Sequence, residues 1–386
     1  MRVFLIAGEP SGDALGAAVM AGLQQLAPGV TFTGVGGPRM MAKGMDSLFP
    51  MDELSVMGIA EVLPKYFHLK RRIRECADAV LADPPDLLLT IDSPDFCLRV
   101  ARQVKAASDI RTVHYVAPTV WAWRPGRAAK MAQVIDHVLA LLPFEPPLMQ
   151  AAGMQCDFVG HPVVADPAAS EAEAAAFRLA HGLGDVPLVL VLPGSRRAEV
   201  TRLAPVLGDV CARLLQHVPA ARFVLPAAAP VAGLVTELTA NWVQRPLILD
   251  PRETIPVAFA AEKRAAFRAA DVAVAASGTV SLELAAAATP MVIAYDMSWL
   301  SRQIIRRMLI TDTTTLVNLV SDTRAVPEFL GERCRAELIA PAVAETLQAP
   351  QVQAQAMDLT MARLGRDGEA PGLRAARAIL DRLPTG

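Results

Sequence analysis

Short apolar runs alternate with longer helical stretches along the whole chain. The first half predicts strands near residues 2–7, 30–35, 86–91, 111–117, 137–142 and 156–160. The second half predicts strands near residues 187–192, 221–226, 246–249, 271–276 and 291–295. Uninterrupted apolar runs are typical of parallel strands that helices cover on both faces. The pattern therefore predicts an α/β protein with two Rossmann-like, doubly wound parallel-sheet domains that face a cleft.

A polar stretch separates the two sets of predicted strands. Residues 166–171 are rich in Pro, Ala and acidic side chains and have no strand character. We therefore predict an N-terminal domain over residues 1–165 and a C-terminal domain over residues 166–350. The remaining tail, residues 351–386, has a helical pattern, and we expect it to pack back on the first domain.

The composition excludes several classes of function. The net charge of −2 lacks the basic excess of a general nucleic-acid-binding protein. The five cysteines form no CxxC pair and the six histidines form no HExxH spacing, so no metal site is predicted. No apolar run reaches the roughly 18 residues of a membrane-spanning helix. We expect a cytoplasmic protein whose contact with a membrane, if it makes one, is peripheral.

The first predicted strand ends in the loop Gly8-Glu9-Pro10-Ser11-Gly12-Asp13. Ser11 can serve as the N-cap of the next helix, and the glycines allow a ligand to approach the backbone. Ser11, Gly12 and Asp13 are therefore candidate substrate-binding residues, with a tight strand–helix turn as the plainer alternative. The loop lacks the GxGxxG pattern of dinucleotide-binding proteins, so a nicotinamide cofactor is not expected.

The third predicted strand ends in Ile91-Asp92-Ser93-Pro94-Asp95-Phe96. Ser93 fits an N-cap position and Pro94 the first helical position. Asp95 then lies in the first turn, where a carboxylate complements the helix dipole. Asp92 has no such structural explanation, so we predict that it is a general base at the cleft, the alternative being a loop cap.

The second half contains the most informative loop, Leu192-Pro193-Gly194-Ser195-Arg196-Arg197. It predicts a helix capped by Ser195, with both arginines in the first turn, where the helix dipole disfavours cations. Residues that contradict the local preferences of a helix are often found at functional sites. Free backbone N–H groups and a guanidinium make an anion site suited to phosphate, and Gly194, Ser195 and Arg196 are its candidate residues. A solvated helix start is the alternative.

Ser277-Gly278-Thr279, with Glu283 one turn later, follows another strand in the same half. Glu283 can accept two vicinal hydroxyls, as a ribose offers, or it can simply complement the helix dipole. With the arginine loop, these residues predict a nucleoside diphosphate site.

Residues 59–74 predict a basic amphipathic helix with a wide apolar surface. Its apolar positions include Leu63, Tyr66, Phe67, Leu69 and Ile73, and its basic positions include Lys70, Arg71 and Arg72. Such a helix can lie on anionic lipid, and a core helix with a solvated basic face is the alternative.

Trp121 and Trp123 lie close together after the fourth predicted strand of the first half. Core packing is the favoured interpretation, because aromatic side chains usually bury their large surface. A loop that stacks on a sugar is the alternative.

Several segments together resemble the lipid-A-disaccharide synthase family. They are Gly8–Asp13, Gly37–Met40, Val56–Ile59, Ile91–Phe96, His114–Val116, Val120–Arg124, Leu192–Arg196 and Ser277–Thr279 with Glu283. They follow the order of the family over most of residues 1–320, and the remainder of the chain resembles it only loosely.

The resemblance implies an inverting glycosyltransferase of GT-B fold that needs no cofactor or metal. Its donor would be UDP-2,3-diacylglucosamine and its acceptor 2,3-diacylglucosamine 1-phosphate, and the products would be lipid A disaccharide 1-phosphate and UDP. It also implies that Asp92 and Arg196 carry the catalysis and that Asn318 is a substrate-binding residue. A peripheral contact with the anionic inner membrane would bring in the acylated substrates, and a homodimer is left open. A UDP-GlcNAc epimerase, the transferase that makes lipid II and a non-enzymatic UDP-sugar sensor are the other interpretations.

Overall fold

The computed structural model describes residues 1–54, 59–297, 302–303 and 308–383. The chain divides into two compact units. Residues 1–165 form the first unit together with the segment from Leu364 onward, and residues 166–363 form the second. The sequence predicts that the returning segment begins at residue 351. In the structure it begins at Leu364.

The first unit is built on one parallel sheet, which has seven strands among the described residues. The strands are β1 (Arg2–Ala7), β2 (Thr31–Val35), β3 (Asp46–Ser47), β4 (Leu87–Ile91), β5 (Arg111–Tyr115), β6 (His137–Ala140) and β7 (Gln155–Phe158). Their order across the sheet is β3-β2-β1-β4-β5-β6-β7. Helices connect them: α1 (Pro10–Leu26), α2 (Pro38–Met41), α3 (Ile59–Ala82), α4 (Pro94–Ala107), α5 (Gly126–Met131) and α6 (Pro146–Ala151).

Neighbouring residues of β1 belong to different cores, one on each face of this sheet. Phe4 and Ile6 pack in one core, whereas Val3 and Leu5 pack in the other. Successive side chains of a strand point to opposite faces, so a strand with both faces covered must be apolar throughout. This burial explains why the strands read as uninterrupted apolar runs.

The second unit repeats the architecture. Its strands are β8 (Leu188–Leu192), β9 (Arg222–Pro226), β10 (Leu247–Leu249), β11 (Val272–Ala276), β12 (Met291–Tyr295) and β13 (Glu328–Leu330). They form a parallel sheet in the order β10-β9-β8-β11-β12-β13. The helices of the described residues are α7 (Glu171–Ala180), α8 (Arg197–His217), α9 (Ala232–Thr239), α10 (Pro256–Ala269), α11 (Val280–Ala286), α12 (Leu316–Ser321), α13 (Ala336–Gln348) and α14 (Gln351–Arg363). Two doubly wound α/β units are thus confirmed.

The final helix, α15 (Pro371–Asp381), packs against α1 of the first unit. Glycines allow the two helices to approach closely: a Cβ at Gly22 would lie 2.7 Å from the carbonyl oxygen of Gly372. Arg374 of the same helix donates to the carbonyl oxygen of Phe158 at the end of β7. This helix therefore belongs to the first unit.

Candidate active site

The strand order of each sheet reverses at one point, between β1 and β4 in the first sheet and between β8 and β11 in the second. Ligands of open α/β sheets bind beyond the carboxyl ends of the strands at such a switch point. The loop that begins at Gly8 follows β1, and Asp92 follows β4. The loop that begins at Pro193 follows β8, and Ser277 follows β11. The four predicted motifs therefore lie in pairs, one pair at each switch point.

Asp92 and Ser93 both adopt left-handed backbone conformations, with φ of 50° and 43°. The N–H of Asp92 donates to the carbonyl oxygen of Tyr115 on β5 at 3.0 Å, which ties the turn to the neighbouring strand. Strained backbone of this kind persists only where the surroundings impose it, and it is common at functional sites. Ser93 is the N-cap residue of α4, as predicted, but its side chain makes no capping hydrogen bond.

A cavity of about 350 Å³ opens beside the half-buried Asp92. Its titratable lining comprises Asp92, Asp95, Arg99, Arg102, His114, Arg127 and Lys130. The four cations of this lining were not singled out from the sequence, because arginine and lysine on a helix usually belong to its solvated face.

His114 reaches this cavity from β5 and is itself buried. Burial lowers the pKa of its imidazole to about 4, so the ring is neutral near pH 7. Nδ1 lies 2.8 Å from the hydroxyl of Thr90 on β4, and that hydroxyl donates to the carbonyl oxygen of Val113. The neutral ring is thus held in place by the neighbouring strand.

The loop after β1 differs in detail from the prediction. Helix α1 begins at Pro10 with Glu9 as its N-cap residue, so Ser11 lies exposed in the first turn and is not the cap. Gly12 faces β1 and β4, where a Cβ would lie 3.6 Å from the carbonyl oxygen of Ile91. A proline is well suited to the first helical position, which explains why the helix starts two residues earlier than predicted.

Asp13 points inward and not toward solvent, since only 3% of its surface is exposed. Its carboxylate accepts the N–H groups of Gly37, Arg39 and Met40, each at 3.0 Å. A buried carboxylate needs such partners. In this structure Asp13 holds the loop after β2, and its direct contact with a substrate stays a prediction.

The arginine loop also differs from the prediction. Helix α8 begins at Arg197, and Arg196 is its N-cap residue, so Ser195 is not the cap and only Arg197 lies in the first turn. Gly194 has a φ of 110°, and a Cβ there would lie 2.6 Å from Oε2 of Glu199. The loop thus requires glycine at this position.

Glu199 folds back over this loop. Its Oε2 accepts the N–H groups of Ser195 and Arg196, each at 3.3 Å, and its Oε1 lies 3.2 Å from Nη1 of Arg196. A carboxylate therefore occupies the place that the sequence assigns to a phosphate. Glu199 went unnoticed in the sequence because a glutamate in a first turn is an ordinary helix-dipole partner.

The segments after β11 and before α12 surround a second group of polar side chains. Glu283 makes an ion pair with Lys263 at 2.5 Å, and Ser277 lies 3.4 Å from the hydroxyl of Thr314. Thr279 is the N-cap residue of α11, and the space around Gly278 is open. A ligand at this end of the sheet would meet two hydroxyls and an open backbone.

Asn318 is 1% exposed and is engaged by the backbone of its own unit. Its Oδ1 accepts the N–H of Val326 at 3.0 Å, and its Nδ2 donates to the carbonyl oxygen of Val326 at 2.9 Å. Nearby, Glu328 accepts the N–H groups of Thr314 and Thr315. Asn318 thus fixes the loop that leads into β13, and its contact with a substrate stays a prediction.

Trp121 packs edge-on against Phe144 with ring centroids 5.5 Å apart, and its Nε1 donates to Glu145 at 3.3 Å. Burial raises the pKa of Glu145 to about 7. The guanidinium of Arg124 lies 4.4 Å from the ring centroid of Trp123. The packing of Trp121 agrees with the interpretation that it is a core residue.

Some of the residues of helix α3 that were predicted to contact a membrane are buried, and others are exposed. Ile73 is 5% exposed and the partly buried Leu69 packs against the same core, so both contribute to the packing of this unit. Arg72 is also turned inward, since its guanidinium binds Glu53 at 2.7 Å and holds the pKa of that carboxyl below its usual value. The side chain of Leu63 and the motif residues 56–58 lie outside the part of the chain that the structure describes.

The outer face of α3 carries aromatic and basic side chains together. Phe67 is 81% exposed and Tyr66 is 44% exposed, and their rings meet edge-on at 5.5 Å. Lys70 and Arg71 are exposed one turn further along the helix. Among the described residues, no helix combines the length and hydropathy that crossing a membrane requires, and no group of His, Cys, Asp and Glu is arranged to hold a metal ion.

Comparisons with known proteins show the family of the chain. The family model described as lipid-A-disaccharide synthetase matches residues 3–374. The lipid-A-disaccharide synthase of Ruegeria pomeroyi is 64% identical over 384 residues, which cover 100% of this chain and 96% of the relative. That of Rhodospirillum centenum is 44% identical over 99% of this chain and 94% of the relative.

Two solved structures share the fold at low identity. UDP-GlcNAc 2-epimerase from Neisseria meningitidis, bound to UDP-GlcNAc, matches with a TM-score of 0.66 and 12% identity, covering 99% of both chains. MurG from Acinetobacter baumannii matches with a TM-score of 0.57 and 14% identity, covering 99% of this chain and 98% of that one. These likenesses support the GT-B architecture alone.

Proposed function

We propose a residue-level mechanism for this chain from the premise that it belongs to the lipid-A-disaccharide synthetase family. The chain is a glycosyltransferase of lipid A biosynthesis, which joins UDP-2,3-diacylglucosamine to 2,3-diacylglucosamine 1-phosphate and releases UDP. The observation that carries the mechanism is the position of Asp92 and Arg196, each beyond the carboxyl end of a strand at the switch point of its sheet. The first unit would bind the acceptor and the second the donor.

Asp92 is the proposed general base. It takes the proton from the 6-hydroxyl of the acceptor, and that oxygen forms a bond to the anomeric carbon of the donor. The bond between this carbon and the diphosphate breaks, and its electron pair leaves with UDP. Direct displacement inverts the anomeric centre, which accounts for a β-linked product.

Arg196 and the backbone N–H groups of Ser195 and Arg196 would stabilise the departing diphosphate. They are the groups that hold the carboxylate of Glu199 in this structure, so the loop already binds an anion. Negative charge grows on the leaving group in the transition state, where fixed donors contribute most. Binding of the donor would require Glu199 to turn away.

Glu283 and the Ser277–Thr279 turn are the proposed contacts of the nucleoside. Glu283 is partly exposed, and its pairing with Lys263 leaves carboxylate lone pairs for ribose hydroxyls. Ser11 and Gly12 remain candidate acceptor contacts at the switch point of the first sheet. Asp13 and Asn318 would act through the loops that they hold.

Tyr66, Phe67, Lys70 and Arg71 are the proposed membrane contact. Aromatic rings at the headgroup level and cations that attract anionic lipid are typical of peripheral helices. The acyl chains of both substrates reside in a membrane, so this contact at the inner membrane would bring the site to them. A homodimer stays a prediction.

One experiment tests the transfer itself. The purified protein is incubated with both diacylated substrates, and mass spectrometry follows the disaccharide phosphate and UDP. Donor and acceptor should be consumed in equal amounts. Release of UDP without disaccharide, or an epimerised UDP-sugar, would refute the assignment, and binding of UDP without turnover would indicate a sensor.

A further inference from the structure

The cavity beside Asp92 carries a positive charge that proton transfer does not require. Two carboxylates line it, Asp92 and Asp95, against four cations, Arg99, Arg102, Arg127 and Lys130. The formal excess is four minus two, or two positive charges. Cations that share a cavity repel one another, so their convergence calls for an anion.

The four cations lack partners within the described part of the chain, since none of their side chains takes part in an ion pair, a side-chain hydrogen bond or a ring contact. Lys105, on the same helix as Arg99 and Arg102, is different: its ammonium lies 2.7 Å from Asp136. The arginines that face the cavity have no such carboxylate.

Two helices supply the cations. Asp95, Arg99 and Arg102 follow one another at four- and three-residue spacing, which places them on one face of α4. Arg127 and Lys130 lie one turn apart on α5. Arg99, Arg102 and Lys130 are exposed and Arg127 is partly buried, so the two helix faces line one cavity that is open to solvent.

We infer that this cavity binds the phosphate monoester of the acceptor sugar. The inference rests on the proposed function, because the acceptor is a sugar 1-phosphate whose reacting hydroxyl is on C6. C1 and C5, which carries C6, both flank the ring oxygen, so a phosphate bound on the helices α4 and α5 leaves the 6-hydroxyl on the same side of the ring, in the cavity that Asp92 also lines. The volume of about 350 Å³ lies in the range of small-molecule pockets.

The charge of the ligand matches that of the cavity. A phosphate monoester carries about −1.5 to −2 near pH 7, and arginine binds phosphate oxygens in a bidentate manner. Donor and acceptor both contain a diacylated glucosamine and differ in the group on C1. The four cations of the cavity would therefore favour binding of the acceptor, which carries a phosphate monoester, to this unit. The diphosphate of the donor would bind at the arginine loop.

The test compares two acceptors in two enzymes. The wild type and the double variant Arg99→Gln/Arg102→Gln are assayed with 2,3-diacylglucosamine 1-phosphate and with 2,3-diacylglucosamine, which lacks the phosphate. In the variant, kcat/KM for the phosphorylated acceptor should fall about tenfold or more, the usual effect of losing a hydrogen bond to a charged group. For the acceptor without phosphate it should stay within about twofold, as should the KM of the donor.

Lys130→Gln and Lys43→Gln form a matched pair of lysine substitutions. Lys130 lines the cavity, whereas Lys43 is exposed elsewhere in the same unit. Only the first should raise the KM of the phosphorylated acceptor. Equal losses with both acceptors, or equal effects of the two lysine variants, would overturn the inference.

A soluble probe separates this inference from the proposed function. Glucosamine 1-phosphate should bind the wild type, and the binding should weaken at least about tenfold in Arg99→Gln/Arg102→Gln; glucosamine should not bind comparably. If the wild type makes no disaccharide, the proposed function fails and this titration still decides the phosphate site. Equal binding by wild type and variant, with both shown to be folded by thermal unfolding, would overturn the site alone.

Discussion

The guanidinium of Arg196 lies 3.2 Å from the carboxylate of Glu199, which also accepts the backbone N–H of Arg196 at 3.3 Å. An internal anion, the carboxylate of Glu199, therefore occupies the arginine loop. The side chain of Arg196 is 62% exposed, so the pair is screened by water and easily exchanged. The donor would replace one anion with another of higher charge.

Removal of the internal anion should strengthen nucleotide binding. In Glu199→Gln the loop keeps its N–H groups and Arg196 but loses the competing charge. We expect the Kd of UDP, measured by calorimetry, to fall about two- to fivefold, in keeping with an exposed ion pair of 0.2–1 kcal/mol. Glu237→Gln, an exposed change in the same unit, should leave the Kd unaltered. Weaker binding in Glu199→Gln would instead assign Glu199 to orienting Arg196.

The two adjacent arginines should have different effects. Arg196→Ala removes the cation that binds the internal carboxylate, so donor KM should rise and UDP should bind more weakly, each about tenfold or more. Arg197 is exposed in the first turn of α8 and serves as the control. Arg197→Ala should change neither quantity by more than about twofold. Equal losses in the two variants would contradict a specific role for Arg196.

Loss of the base should lower kcat without changing the affinity for UDP. In Asp92→Asn we expect kcat to fall about 10²–10⁴-fold, the usual contribution of general base catalysis. UDP affinity should stay the same, because Asp92 follows β4 in the first unit and the proposed nucleotide contacts belong to the second. Asp109→Asn, at an exposed position of the same unit, is the control. Turnover near that of the wild type would exclude Asp92 as the base.

Acid should destabilise the first unit through His114. Burial lowers the folded-state pKa of this ring to about 4 from an ordinary value of 6.5. The unfolded chain therefore binds a proton that the folded chain does not, and stability present above pH 6.5 is lost as the pH falls toward 4. The free energy of unfolding of the wild type should drop over this window, and His114 should contribute about 1.4 kcal/mol per pH unit to that slope.

In His114→Gln the slope of the free energy of unfolding against pH should decrease by the amount that corresponds to about one proton. His217→Gln changes an exposed ring and should leave the slope as in wild type. The free energy of unfolding at each pH, from urea titrations, gives both slopes. An unchanged slope in His114→Gln would mean that other groups cause the acid sensitivity.

Membrane binding should depend on the outer face of α3 alone. Tyr66→Ser/Phe67→Ser removes the exposed aromatic pair without touching the core, so co-sedimentation with anionic vesicles should fall while solution stability is retained. Leu179→Ser, at a residue 84% exposed in the second unit, is the control. Leu69→Ser should instead lower the unfolding temperature. Equal co-sedimentation of the aromatic variant and wild type would reject the contact.

Local patterns in the sequence determined the two parallel sheets. A strand such as β8 is apolar throughout because both of its faces are buried, and this information is contained in five successive residues. The edge strands β3 and β13 escaped prediction, since Asp46–Ser47 and Glu328–Leu330 are short and acquire their conformation from a neighbouring strand. The motifs at Asp92 and Arg196 were found because each directly follows such a run.

Only the tertiary structure decided which groups the polar side chains of these motifs meet. Asp13 is buried against the backbone of the loop after β2, and Asn318 against that of Val326, eight residues further along the chain. Arg99 and Lys130 are exposed, as their helix positions suggest, and both also line the cavity of Asp92. The periodicity of apolar residues indicates which face of a helix or strand is buried, because this pattern depends only on neighbours within a few residues. The partner of a polar group comes from elsewhere in the chain, and packing alone brings the two together.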